Sequence, residues 1–269
     1  MDPRALRDAA IEWARAAGAV LRQAYGGSHA LERKSAIDLV TDTDRRAEAV
    51  ILERLRQRFP GHAVLAEESG AHEAGGSATM QRAESPVRWL IDPLDGTTNF
   101  AHNYPFFSVS IAAEAAGRLV AGAVYDPVRE EMFAAAAGHG ATLNDAALRV
   151  SSIERLEDSL LVTGFPYDVR EHPERHVPLF QAFLMRAQGI RRDGSAALNL
   201  CYLAMGRFDG FWEGSLSPWD MAAGVLVVRE AGGEVTRYDG GAFTLDGRQI
   251  LATNGRLHAE MKQVIRENA

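Results

Sequence analysis

A layered α/β or α+β fold is what this sequence predicts, and three observations carry the prediction. Apolar residues recur at helical spacing in several separate segments, strand-like apolar stretches lie between them, and no internal repeat or low-complexity tract interrupts the chain. With 269 residues, 46% of them hydrophobic, the chain can bury an ordinary core without disulfides.

Leu6, Ala10, Trp13, Ala17, Val20 and Leu21 follow Pro3 at helical spacing and predict an amphipathic opening helix. A second helix is expected over 44–58, with Ala47, Val50, Ile51 and Leu55 on its buried face. Gly70 to Ser85, with three glycines and few large apolar residues, predicts a mobile loop in the position of a lid. Val87 to Ile91, Phe107 to Glu114 and Val120 to Tyr125 read as strands, separated by Gly117 and by the turn at Asp126 and Pro127. Ala196 to Met205 and Met221 to Glu230 read as helices, the second ending at Gly232 and Gly233 before a strand around Val235.

Composition excludes several classes. A formal net charge of −7 gives no global attraction to nucleic acid or anionic lipid. One cysteine, Cys201 in an apolar stretch, rules out a disulfide framework or thiolate metal site and suits a reducing cytoplasm. The first 25 residues carry Arg4, Arg7, Asp8, Glu12, Arg15 and Arg22, unlike a signal peptide, and no run of about 18 apolar residues predicts a membrane span. Arg45, Arg46, Arg54, Arg56 and Arg58 are expected to form a solvated helix face.

The most informative segment runs from Trp89 to Phe100, where an apolar strand leads into Asp92-Pro93-Leu94-Asp95-Gly96-Thr97-Thr98. Pro93 disfavours helical geometry at Asp92 and Gly96 permits a sharp turn, so Asp92 and Asp95 can converge while the Gly96 and Thr97 amides face an anion. The plainer reading is a turn, since Asp-Pro and Asp-Gly are common turn dipeptides. Glu67 and Glu68 follow Val64-Leu65-Ala66, Asp44 follows Leu39-Val40-Thr41, and Asp220 follows Trp219, so each acid borders a segment expected to be buried. Singly, Asp220 reads as a helix N-cap, Asp44 as a helix start, and Glu67 and Glu68 as solvated. Together, buried acids that repel one another call for a hard cation.

Taken in order, Glu67-Glu68-Ser69, Ile91 to Phe100 and Trp219-Asp220-Met221-Ala222-Ala223-Gly224 resemble the inositol monophosphatase family. Lys34, Asp38 to Asp44, Gly194-Ser195-Ala196-Ala197 and Glu213 fall in the same order, and Arg191 to Gly233 most resembles the bacterial inositol-1-monophosphatase branch. The resemblance implies an alternating α-β-α-β-α sandwich of the sugar-phosphatase type, a single phosphatase unit over 1–269 with the metal site in 1–145 and the substrate pocket in 146–269. It implies two or three Mg2+ per site, held by Glu67, Asp92, the Leu94 carbonyl, Asp95 and Asp220, and inhibition by lithium. Thr97, hydrogen-bonded to Asp44, would help Glu67 orient the attacking water. The Gly96 and Thr97 amides would hold the phosphate, Asp95 would also be among the substrate-binding residues, and Gly194, Ser195, Ala196 and Glu213 would line the alcohol side.

The implied substrate is a small phosphorylated polyol, first of all inositol monophosphate, and the implied assembly a homodimer. Fructose 1,6-bisphosphate, nucleotide 3′-phosphate and histidinol phosphate are the alternatives within the family. A regulatory role in transcription antitermination, through transcription factors or RNA, is the alternative of another class. Three departures stand out: Ala66 in place of a frequent glycine, Asn199 in place of a frequent aspartate, and Asp193, an added charge expected near the pocket. An aspartyl-nucleophile phosphatase is disfavoured because Arg46 stands where Asp42-Thr43-Asp44 would need Thr or Val. No Walker loop or His-Glu-x-x-His occurs, and His172 and His176 read as surface residues.

Overall fold

The computed structural model describes residues 1–27, 31–33, 39–73, 86–166 and 168–268. Lys34, Asp38 and residues 74–85 of the expected loop lie outside them. Helix α1 (Pro3–Ala24) starts where Asp2 accepts the Arg4 amide at 2.9 Å and Pro3 fills the first helical position, and it buries Leu6, Ala10, Trp13, Ala17 and Leu21. Strands β1 (Leu31–Arg33) and β2 (Leu39–Thr41) pair antiparallel and lead into α2 (Asp42–Arg58). This helix starts two residues before the expected Asp44 because Thr41 is the cap. Thr41 Oγ1 accepts the Asp44 amide at 3.4 Å and Asp44 Oδ2 accepts the Thr41 amide at 3.0 Å, a reciprocal capping box.

Among the described residues, β3 (Ala63–Ala66), β4 (Gly70–Glu73), β5 (Arg88–Asp95), β6 (Ser108–Ala115), β7 (Arg118–Asp126), β8 (Glu131–Ala136), β9 (Ala141–Leu143) and β10 (Ala146–Ala147) form an eight-stranded sheet. Its order is β10-β9-β8-β7-β6-β5-β3-β4. All neighbours run antiparallel except β3 and β5. Gly70–Glu73 is thus an edge strand rather than the start of a loop. Its glycine and polar residues conceal it, since an edge strand needs pairing on one side alone. The short helix α3 (Thr97–Ala101) follows β5. Between β6 and β7, Ala116 and Gly117 both take positive φ, 49° and 74°, the two-residue turn that suits the twist of a hairpin.

The second sheet has the order β12-β11-β13-β15-β14, from β11 (Leu160–Thr163), β12 (Gly189–Arg191), β13 (Gly210–Gly214), β14 (Glu234–Thr236) and β15 (Gln249–Thr253). Helices α4 (Val177–Leu184), α5 (Ala196–Ala204), α6 (Pro218–Glu230) and α7 (His258–Asn268) are interleaved with these strands. Helix α6 begins at Pro218, not Met221: Ser217 is the cap, Pro218 pre-sets the first φ, and Asp220 is the third helical residue.

The layers follow from which face each strand residue presents. Trp89 and Ile91 pack with α1 and α2 in one core, whereas Leu90 packs with α5 and α6 in the next. Phe211, Ile250 and Ala252 join that middle core from the small sheet, while Trp212 and Leu251 turn to a third core with α4 and α7. Period-two alternation in both sheets therefore builds α1/α2, large sheet, α5/α6, small sheet, α4/α7. This is the expected α-β-α-β-α sandwich. Each large side chain so buried contributes about 1.5–3 kcal/mol, and Trp13 stacks obliquely on Trp89 with ring centroids 4.8 Å apart. Helix α6 lies unusually close to the large sheet: a methyl at Gly122 of β7 would sit 3.1 Å from Ala223 Cα.

Candidate active site

The site starts with an irregularity in β5. Asp92 pairs with Ser110 of β6, but Asp95 pairs with Ser108, so three steps along one strand match two along the other. In a regular strand, residues three apart point to opposite faces; the extra residue returns Asp95 to the side of Asp92. Leu94 N donates to Asp92 Oδ1 at 2.9 Å, which fixes that carboxylate against its own turn. Gly96 follows at φ 100°, a conformation that favours glycine, and a methyl there would also lie 3.0 Å from the Phe106 carbonyl.

Thr97 opens α3, and its hydroxyl lies 3.2 Å from Asp44 Oδ1 and 3.1 Å from the Leu94 carbonyl oxygen. Asp44 is buried beneath it and does not reach the cleft surface itself. Glu67 follows β3, and its amide continues the parallel ladder by donating to the Ile91 carbonyl at 3.1 Å. Asp95 reaches the far side: Ser195 Oγ and the Ala197 and Ala196 amides donate to it at 2.5, 2.7 and 3.2 Å, so it closes the first turn of α5. Asp220 Oδ2 accepts the Ser217 amide at 2.8 Å at the start of α6.

These elements enclose a cleft of about 770 Å³ lined by Glu67, Asp92, Leu94, Asp95, Gly96, Thr97, Gly194, Ser195, Ala196, Glu213 and Asp220. The eleven residues that the resemblance assigned to the metal, the phosphate and the alcohol side are thus at the cleft, with Asp44 directly behind it; Glu68 is not among the lining residues. That volume suits a small ligand. No histidine or cysteine is among the described lining residues.

Burial dominates the electrostatics. Asp92, 2% exposed, is held well above the usual carboxylate range by burial first, then by the charges of Glu67, Asp95 and Asp220. Burial and then Asp95 raise Asp220 likewise. Asp95 is pushed up to about 6 by burial, against its bonds from Ser195 and α5, and burial takes Asp44 to about 6. Among the described residues no three acidic, histidine or cysteine side chains form a closed ligand set around one point. Four carboxylates instead line one cleft, within range of one another's charge.

Glu213 rises to about 8 through burial, opposed by Arg192 and reinforced by Asp95. Its carboxylate lies against Gly164, where an added methyl would come within 2.0 Å of Oε1. Gly164, Arg192, Asp168 and Arg248 also line the cleft and carried no signal in the sequence, because nothing local marks an isolated arginine or glycine as facing a distant carboxylate. Asp193, expected near the pocket, is not among the lining residues; its neighbour Arg192 is, and the Asp193 carbonyl is taken up by Asn99 Nδ2 at 2.7 Å. Ala66 fits the core with no exposure, and Asn199 is buried, its Oδ1 without a hydrogen-bond partner among the described residues.

Comparison with known proteins agrees with this geometry. Residues 2–268 match the description of the Inositol monophosphatase family. The chain is 47% identical over 257 residues to an inositol-1-monophosphatase of Synechocystis sp., covering 95% of this chain and 87% of the relative. It is 41% identical over 261 residues to the Nus factor SuhB of Vibrio cholerae, covering 96% and 95%. An inositol monophosphatase structure from Anabaena (Nostoc) sp. superposes with a TM-score of 0.88 at 43% identity, over 99% and 97% of the two chains. The extragenic suppressor protein suhB of Bartonella henselae does so with a TM-score of 0.91 at 39% identity, over 98% and 100%. A carboxylate-lined cleft at the bulged end of β5, a matching five-layer sandwich and likeness along its whole length make this chain a member of the inositol monophosphatase family.

Proposed function

We propose that this protein is a Mg2+-dependent phosphomonoesterase that hydrolyses inositol monophosphate to inositol and phosphate. The observation that carries the reading is that Glu67, Asp92, Asp95 and Asp220 line one cleft, three of them with an oxygen already committed to a backbone amide. An all-oxygen donor set suits a hard cation such as Mg2+. These four acids and the Leu94 carbonyl would hold two or three ions.

Monoester hydrolysis needs acceleration of up to about 10²¹, or roughly 28 kcal/mol, of which orientation supplies about 7–11. Bound Mg2+ would supply much of the remainder by neutralising charge on the phosphoryl group and the leaving oxygen. The rest falls to the chain itself. Because the Thr97 hydroxyl proton points to Asp44 and the Leu94 carbonyl, its lone pair is what remains for the cleft, and it accepts a hydrogen bond from the attacking water. Glu67 takes a proton from that water as the water oxygen bonds to phosphorus, and the inositol oxygen, leaving as its bond to phosphorus breaks, takes up a proton from solvent. The Gly96 and Thr97 amides hold the phosphate, and Glu213 with Gly194, Ser195 and Ala196 meets the alcohol.

Phosphate release from a panel of monoesters, with Mg2+ and with EDTA, tests this. Inositol monophosphate should be turned over best among polyol, sugar, nucleotide and histidinol phosphates. Full activity in EDTA, or none on any ester, would overturn it.

A second reading is favoured by relatives named Nus factor SuhB at 41–43% identity: that the chain also contacts transcription factors. A pull-down that returns a stoichiometric partner would support it. By resemblance to its family the proposal extends to a cytoplasmic homodimer. No helix among the described residues is long and apolar enough to cross a membrane.

A further inference from the structure

Helix α2 is studded with charge, and Arg45, Arg46, Glu53, Arg56 and Arg58 are all exposed. Two of its acids are not. Asp44 and Glu48, one turn apart, are 1% and 3% exposed. A buried carboxylate costs free energy unless its oxygens are satisfied, and each of these two reaches a different catalytic loop. Asp44 Oδ1 takes the Thr97 hydroxyl after β5, and Glu48 Oε2 takes the Glu68 amide after β3 at 2.9 Å.

The second bond matters for the residue just before it. The peptide preceding Glu67 is fixed where its amide donates to Ile91, and the peptide following it is fixed where the Glu68 amide donates to Glu48. Two fixed peptide planes determine φ and ψ at the Cα between them, and so the direction in which that side chain leaves the backbone. We infer that Glu48 is a positioning residue: by holding the peptide after Glu67, it aims the Glu67 carboxylate into the cleft, in register with Thr97.

The register comes from the helix. Residues four apart on one face are separated by about 5–6 Å, so the two anchors keep a fixed spacing while Ala47, Ile51 and Leu55 seat α2 in the core. A carboxylate suits the task because it is acceptor-only; an amide presents an oxygen equally well in one of its two orientations. This inference rests on the proposed role of Glu67, and the test separates the two.

Glu48→Leu removes the acceptor while remaining compatible with burial, Glu48→Gln keeps an acceptor of equal reach, and Glu48→Asp keeps the charge but withdraws it by one methylene. For each full-length variant and the wild type, kcat and KM are measured on inositol monophosphate, and Mg2+ affinity by calorimetry without substrate. Glu48→Leu should lose about 10- to 100-fold in both kcat and Mg2+ affinity, with KM within a few-fold of the wild type. Glu48→Gln should restore most of both, and Glu48→Asp should fall between. A folded Glu48→Leu with unchanged kcat and Mg2+ affinity overturns the inference, as does Glu48→Gln falling as far as Glu48→Leu. Where Glu48→Leu does not fold, an unimpaired Glu48→Asp overturns it. If the wild type releases no phosphate, the phosphatase reading fails and calorimetry alone decides the role of Glu48.

Discussion

Ser195 Oγ donates to Asp95 Oδ2 at 2.5 Å, so an acid of the large sheet closes a helix that begins a hundred residues later in the chain. The arrangement recurs at Asp92, bonded by Leu94 N, and at Asp220, bonded by Ser217 N. In each case a backbone donor holds the carboxylate in orientation, and the cations of the proposed mechanism would find their ligands already aimed.

Burial of these carboxylates, which outweighs the bonds that aim them, has a pH signature. Burial raises Asp95 and Asp44 to about 6, and burial with the neighbouring carboxylates holds Asp92 and Asp220 well above the usual carboxylate range. An acid whose folded pKa exceeds its unfolded value of about 3.9 favours the fold while protonated, and that contribution is lost as pH rises through the folded value. Cations bind the ionised form, so the rise in Tm on adding Mg2+ to chelated protein should grow from about pH 5 to about pH 8. At about a hundredfold excess over Kd it corresponds to about 2.7 kcal/mol. A Tm increment that is constant or shrinks with pH would contradict the site.

Asp92→Asn keeps the oxygen that accepts the Leu94 amide and removes one of the mutually repelling charges. Phosphate release should fall by about 10³-fold. In EDTA the variant should melt no lower than the wild type, since a buried unpaired charge has been deleted. Retention of a tenth of the wild-type rate would reduce Asp92 to a turn residue.

Glu213 should separate recognition from chemistry. Charge-assisted bonds to a polyol are worth about 1.5–3 kcal/mol, or roughly 10- to 150-fold. Glu213→Gln should lower kcat/KM for inositol monophosphate by that factor while barely affecting p-nitrophenyl phosphate. The loss should be smaller near pH 6, where Glu213 is protonated and resembles an amide, and larger as it ionises toward about 8; bound cations would start the widening earlier. Gly164→Ala, whose methyl displaces the same carboxylate, should act on the same substrate and add little in the double variant. Equal losses on both substrates would move Glu213 into the catalytic machinery.

His62 carries a prediction of opposite sign. Its Nδ1 accepts the Trp89 indole N–H at 2.9 Å, Phe59 stacks on it, and it is 5% exposed. Burial lowers its pKa. A histidine kept neutral by the fold contributes stability above its unfolded value of about 6.5 and loses it as pH falls toward the folded one. Denaturant melts should show the wild type losing stability relative to His62→Gln, which retains an acceptor, between about pH 7 and pH 5. Parallel curves would show that His62 does not titrate in the fold.

Much of this was legible in the sequence because the chemistry is local. Asp92 to Thr97 carries its proline, its acids and its glycine within one turn, and the opening helix announces its stripe. Glu48 was not legible: on a helix with so many solvated charges, its burial is decided by the Glu68 amide twenty residues away. The arginines at 45, 46, 56 and 58 are exposed as their composition predicts, and Arg54 is half-buried. Helix starts were misjudged by two or three residues wherever the acid at the third position looked like the cap, as at Asp44 and Asp220.

The tight seat of α6 on β7 has an evolutionary consequence. Asp220 rides on that helix, and a single buried methyl at Gly122 would push against Ala223 one turn along from it. On the proposed reading, such a change retunes the spacing of the cations while leaving every ligand intact. Lineages can then drift apart in ion preference through a position that touches neither ion nor substrate, and a comparison confined to the ligands would score them as identical.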